Sequence, residues 1–151
     1  MTPLSYQSQD SGQTLGEALE EYYGNNPVLL EPGVLPADVA ELFRQHDAGH
    51  VIFGCDTSIR GETLIDTWTV FATTAGLRGY LQYFKHPQVN LIFSAVGYWQ
   101  IFVVSVRCLP DIWRLILLSR KMSARWPWDR YHEYLGRPLR DLRAEFNIQV
   151  I

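Results

Sequence analysis

The chain has 151 residues, 47% of them apolar and 13% aromatic, with a net charge of −3. That length suits one domain with a sizeable core, and the composition excludes a disordered chain. Two cysteines, Cys55 and Cys108, form no CxxC pair and exclude a disulfide framework, which points to a reduced, cytoplasmic compartment.

Residues 1–13 are polar and read as a loose N-terminus, and no secretory signal is visible in the polar, acidic first twenty residues. "QTLGEALEEYYG" reads as a short helix stopped by Gly24, followed by a loop punctuated by Pro and Gly, "NNPVLLEPGVLP". Pro36 opens a second helix that runs to about Gly54. Its apolar stripe follows the i, i+3/i+4 rule through Leu35, Val39, Leu42/Phe43, His46, His50 and Phe53.

A short turn, "CDTSIRG", leads into a helix of about twenty residues starting at Glu62. One of its stripes, Ile65, Trp68, Ala72 and Ala75, suits packing. The neighbouring stripe, Glu62, Asp66, Thr69, Thr73 and Gly76, is small and polar. "HPQ" breaks the chain before its most apolar segment, an uninterrupted run to Val106 of about sixteen residues that contains Gln100. A membrane span needs about twenty, so a buried or interface-touching helix is the expectation. Pro110 restarts a helix, "DIWRLILLSRKM", and two short helices or turns, "WPWDRYHEYLG" and "RPLRDLRAEFNI", finish the chain. No alternating strand pattern appears. The expected fold is all-α, a single compact domain of about five to seven helices over 14–151.

Charge divides unevenly. Residues 1–90 carry 4 Lys/Arg against 11 Asp/Glu, and 91–151 carry 9 against 5. A basic, aromatic, apolar second half suits an anionic surface or ligand such as phospholipid heads or a carboxylate. Nucleic acid is not an expected partner, because the chain is acidic overall and its basic residues interleave with apolar ones.

The stretch 43–62, "FRQHDAGHVIFGCDTSIRGE", carries the chemistry. Positions i and i+4 of a helix face the same way, so His46 and His50 point together with Asp47 to one side. Glu62 follows a loop long enough to fold back over them. Buried unpaired polar groups cost a few kcal/mol, and a divalent cation satisfies all four residues at once. Zn²⁺, Mn²⁺ and Fe²⁺ all accept such a set. The competing reading is four polar groups that hydrogen-bond one another. A hydrolase by analogy with the zincin HExxH is the weaker alternative: the intermediate acid is Asp47 where that motif has glutamate, and no oxyanion site or nucleophile is recognisable. An HD phosphohydrolase is excluded because no histidine precedes His46.

The spacing His46-Asp47-Ala48-Gly49-His50, eleven residues, then Glu62 resembles the coenzyme Q (ubiquinone) biosynthesis family Coq-four. Gly54 and the closing "PLRDLRAEFNI" are similar to that family too, and the likeness covers roughly 25–148. The resemblance implies an all-helical protein at the inner face of the cell membrane, with His46, Asp47, His50 and Glu62 holding a divalent metal, usually zinc. It implies action on a prenylated aromatic acid, with ring carbon 1 decarboxylated and hydroxylated. The alternative it leaves open is a non-catalytic, metal-stabilised scaffold that presents lipid and organises other quinone-biosynthesis proteins. A homodimer is compatible with either. The chain is shorter than typical members, which suggests a bacterial type and leaves another quinone precursor or isoprenoid lipid open as its ligand.

Beyond the motif, Asp66 is a candidate partner of the ligands or proton acceptor, and Arg60 a candidate for pairing with an acidic substrate. His86 and His132 read as surface residues, and Cys55 as a small core residue. Trp99, Trp113, Trp126 and Trp128 suit the core or a membrane interface. The apolar segments 91–106 and 112–118 are expected to line a slot for an isoprenoid tail.

Overall fold

The computed structural model describes residues 3–26, 36–83, 85 and 97–151. His86, the residues 91–96 that begin the apolar run, and most of the loop "NNPVLLEPGVLP" lie outside them. Among the described residues the chain forms seven α-helices and two 3-10 helices, with no strand. We name the α-helices α1 (Leu15–Asn25), α2 (Ala37–Phe53), α3 (Ile59–Ala72), α4 (Gly76–Tyr83), α5 (Tyr98–Arg107), α6 (Leu109–Ser119) and α7 (Leu139–Phe146). The 3-10 helices cover Ser5–Gln7 and Trp128–Tyr134. No helix among the described residues is long and apolar enough to cross a membrane.

Each boundary has a local cause. Thr14 caps α1 in a reciprocal arrangement: its hydroxyl accepts from the Glu17 amide while the Glu17 carboxylate accepts from the Thr14 amide. Pro36 precedes α2 and Gly54 ends it. Ser58 caps α3, its hydroxyl accepting from the Gly61 amide.

The twenty-residue helix expected from Glu62 onward is instead two helices. It begins earlier, at Ile59, and breaks after Ala72. Thr73 is extended there and forms an isolated bridge with Trp126. The Trp126 amide donates to Ala72, and the Trp126 carbonyl accepts from Thr74. A strand-like contact with a distant segment outcompetes the next helical turn, which local periodicity does not show.

α2 and α3 form the centre of the core. Ala48, Val51, Ile52 and Phe53 from one helix and Leu64, Ile65, Trp68 and Ala72 from the other are buried. The Phe53 and Trp68 rings stack with centroids 4.6 Å apart. α1 closes one side with Leu15, Ala18 and Tyr22, and α6 packs on α3 through Leu115 and Leu118.

From residue 3 onward the N-terminal segment is not loose. Tyr6 is buried, and the Arg143 guanidinium, itself fully buried, donates to the carbonyls of Tyr6, Ser8 and Gln9. The same guanidinium donates to Val51 and Ile52 at the end of α2. Five donors of one arginine thus tie 6–9 and α7 to the ligand-bearing helix. Polar composition concealed this, because the contacts use backbone carbonyls and not side chains.

Candidate metal centre

Two glycines allow α2 and α3 to come close enough for a shared site. A Cβ on Gly49 would stand 2.9 Å from Ile65 Cδ1 and 3.1 Å from the Trp128 ring. A Cβ on Gly61 would stand 2.0 Å from the Asp56 carbonyl oxygen, so the turn 56–58 can fold tightly against the start of α3. Asp56 reinforces that turn by accepting from the Ser58 amide and hydroxyl. The next residue after Gly61 is Glu62, and the fold-back aims it at α2.

His46, His50 and Glu62 converge: one ligand atom from each lies within 4.8 Å of the others. Glu62 Oε1 is 3.3 Å from His50 Nε2, and Oε2 is 3.8 Å from His46 Nε2. The imidazole side chains are 8% and 1% exposed, whereas the Glu62 side chain is 45% exposed. Two buried donors therefore face a carboxylate that reaches solvent, and the group opens outward on the glutamate side.

The His50 tautomer follows from its second contact. Nδ1 lies 3.3 Å from the Cys55 carbonyl, which can only accept, so Nδ1 carries a proton. Nε2 of a neutral ring is then a lone pair aimed at a carboxylate oxygen. Two acceptors at 3.3 Å repel unless a cation stands between them. A proton on Nε2 meets that need, and so does a divalent metal. An imidazole oriented by a backbone carbonyl is the usual arrangement behind a metal-binding histidine. Ligand atoms on a tetrahedral metal stand ~3.3 Å apart at the usual bond lengths of ~2.0 Å, so side-chain shifts on the order of an ångström bring together atoms that lie within 4.8 Å of one another.

Charge in the group is strongly coupled. Burial, helped by His50, pushes His46 down to about 4. Burial also opposes protonation of His50, but the adjacent Glu62 carboxylate outweighs it and holds His50 above its ordinary value. Glu62 is held below the usual carboxylate range because His50 and then His46 overcome its desolvation.

Asp47, expected as a fourth ligand, is not in this cluster. One residue turns an α-helix by about 100°, which carries Asp47 away from Glu62 and toward α1. There Tyr23 donates to Oδ2 at 3.1 Å and Tyr22 to Oδ1 at 3.4 Å. Burial raises its pKa to about 6. The Tyr22 ring also stacks on His50, with centroids 5.5 Å apart. Asp47 thus holds the tyrosines that wall the imidazole. The two tyrosines were not among the residues singled out from sequence, although "EEYYG" places both in α1.

Beside the cluster lies a cleft of about 350 Å³ between α2, α3, α4 and the start of the 3-10 helix Trp128–Tyr134. His46 and Asp66 both line it, and Thr69 from the same polar stripe joins them. Asp66 accepts from the Tyr80 phenol at 3.3 Å, and burial raises its pKa to about 7.

The remaining candidates separate cleanly. Arg60 pairs with Asp111 at 2.8 Å and joins α3 to α6 at the surface. Cys55 is a buried free thiol, and His132 is exposed. Trp126 and Trp128 are buried; Trp99 and Trp113 are exposed. The tail slot expected from 91–106 and 112–118 is not what their described part forms. Trp99, Phe102, Val106, Trp113 and Leu117 face outward, and the cleft beside the ligands is lined by other elements.

Protein-family models, curated proteins and solved structures provide no match to this chain. The functional reading therefore rests on the site itself and on its motif.

Proposed function

We propose that this chain is a metal-binding protein of ubiquinone or related prenylquinone biosynthesis, holding a prenylated aromatic acid at a membrane surface for decarboxylation and hydroxylation at ring carbon 1. The observation that carries the reading is the meeting of His46, His50 and Glu62 at the spacing of the Coq-four motif. Asp47 departs from the ligand role that the motif implies, and supports the site through Tyr22 and Tyr23 instead.

His46, His50 and Glu62 hold the metal, which is zinc, iron or manganese. Three protein ligands leave a coordination position for substrate or water, as catalytic sites require. The bound metal supplies Lewis acidity toward an oxygen of the substrate. Replacing a carboxyl by a hydroxyl is an oxidation, and zinc has no redox chemistry, so a zinc-loaded protein works with dioxygen through a partner enzyme. The chain's own groups orient and screen: the Cys55 carbonyl fixes the His50 ring, and the cleft admits substrate next to His46.

The outer face of α5 and α6 supports the membrane. Trp99, Phe102, Val106, Leu109, Trp113 and Leu117 recur every three or four residues and are all exposed. Cys108 between the two helices keeps helical φ and ψ, so the spacing continues across the join. Arg107, Arg114, Arg120 and Lys121 border this face. Apolar side chains with tryptophan, fringed by cations, suit an anionic bilayer interface.

A second reading, a metal-stabilised scaffold for other quinone-biosynthesis proteins, draws on the burial of both imidazoles between α2 and α3, where a metal staples two core helices. Incubation of the iron- or manganese-loaded protein with a prenylated 4-hydroxybenzoate, dioxygen and a two-electron reductant such as ascorbate, read by mass spectrometry, separates the two. The catalytic reading expects loss of the carboxyl mass in the wild type and none in Glu62→Gln. A correctly loaded protein that leaves the acid intact, with its melting point lowered by Glu62→Gln, favours the scaffold.

A further inference from the structure

The cleft beside the metal cluster has a charge pattern of its own. Among the described residues most arginines already have partners: Arg44, Arg60, Arg130, Arg137 and Arg140 pair with carboxylates, and Arg143 is saturated by carbonyls. Arg78 lines the cleft from α4, and no carboxylate among the described residues pairs with it. Asp66 and Asp129 share the cleft without reaching ion-pair distance.

We infer that Arg78 is the anion anchor of this cleft, seating the carboxylate of a flat, hydroxylated aromatic acid whose ring lies against Trp128 and Leu42. The inference rests on the proposed function for its account of why a ligand sits there, and it adds the residue that positions the ligand.

Four features fit. The volume of about 350 Å³ is at the lower end of small-molecule sites, which run from ~300 Å³ upward. Trp128 and Leu42 give the cleft apolar walls against which a ring can rest. A guanidinium offers a planar fork that matches a carboxylate. Asp66, held by Tyr80, is an acceptor for a ring hydroxyl on the same cleft.

Arginine recognises phosphate equally well, so a prenyl phosphate is the rival source of the anion. The two aspartates decide between them. Counted at formal charge, Arg78, Asp66 and Asp129 leave one net negative charge in the cleft; a carboxylate raises it to two and a dianionic phosphate to three, so the carboxylate is the less opposed of the two.

Arg78 is exposed, so its replacement leaves the core intact. Calorimetric titrations of the full chain, zinc-loaded and zinc-free, with 4-hydroxybenzoate, 4-hydroxybenzamide and inorganic phosphate test the assignment. The wild type is expected to bind the acid. Arg78→Gln is expected to weaken that binding roughly tenfold or more, as loss of a charge-assisted hydrogen bond does. Binding of the neutral amide should change less than about twofold, since it never used the charge. Arg78→Lys should recover part of the loss, because it keeps the charge and loses the fork.

Failure of the wild type to bind the acid overturns the inference. So does equal binding of the acid by Arg78→Gln and wild type, or an equal loss for acid and amide. Phosphate binding that is tighter than the acid and abolished by Arg78→Gln overturns the carboxylate identity. A wild type that binds the acid in an Arg78-dependent way yet takes up no divalent metal leaves the cleft assignment standing while the metal reading falls. A protein that loads zinc normally and ignores the acid does the reverse.

Discussion

The seam between α2 and α3 and the outer face of α5–α6 depart from the usual distribution of side chains in opposite directions. The seam buries two histidines among Ala48, Val51, Ile52 and Ile65. The outer face leaves Trp99 75% and Trp113 64% exposed. Folding alone rewards neither: buried polar groups need partners and large exposed apolar patches need cover. In the proposed function a cation completes the first region and a lipid surface the second. They should therefore respond to different perturbations.

The largest effects belong to the seam. Gly61→Ala drives a methyl into the Asp56 carbonyl and displaces Glu62, so thermal or urea unfolding should show a loss of about 3 kcal/mol together with loss of metal. A Gly61→Ala protein as stable and as metal-rich as the wild type would separate the turn from the site. Arg143→Met strands five backbone acceptors around the end of α2 and should cost about 3–5 kcal/mol in the same assay. A cost under ~1 kcal/mol would show that these carbonyls find water instead.

The outer face should behave inversely. Replacing Trp99 and Trp113 by Ser removes exposed side chains, so stability should move by less than ~0.5 kcal/mol. Flotation with anionic vesicles should nevertheless drop severalfold. If the double variant floats like the wild type, or if the wild type ignores vesicles, the membrane assignment of this face fails.

A pH series sharpens the contrast at the seam. Without metal, the Glu62–His50 pair is stabilising when Glu62 is ionised and His50 protonated. Glu62 is depressed below 4.5, so its contribution is present above 4.5 and disappears as pH falls through the lowered value. His50 is raised above 6.5, so its contribution is full below 6.5 and disappears as pH rises through the raised value. The pair therefore supports the metal-free protein best between about 4.5 and 6.5. Metal binding displaces the His50 proton and strengthens as pH rises. The gap in melting temperature between loaded and metal-free protein should widen from pH 5.5 to 7.5, and a constant gap would count against imidazole ligation. The smallest effect is expected for Tyr23→Phe, which removes one donor to Asp47 and should weaken metal binding between ~10-fold and no measurable change.

The helical class and most boundaries were readable, because Pro36, Gly54 and Pro110 punctuate the chain and the stripe Val39, His46, His50, Phe53 has helical period. The break at Thr73 was not readable, since its cause is Trp126, more than fifty residues away. At the site, i/i+4 geometry placed His46 and His50 together, and the intervening loop allowed Glu62 to reach them. Spacing alone could not say which way Asp47 turns, because that depends on where α1 packs. Nor does apolar composition distinguish a helix that lines a slot from one that shows its side chains to the outside, as Trp99 and Trp113 do.

The central claim is that His46, His50 and Glu62 hold one metal ion. Metal analysis of the purified chain, with X-ray absorption at the edge of the metal found, tests it directly. The account predicts one ion per chain bound by two imidazole nitrogens and a carboxylate oxygen at ~2.0–2.2 Å, and its loss in both His50→Ala and Glu62→Ala. A full complement of metal in those variants, or a purified wild type that binds no divalent metal when it is supplied, would contradict it.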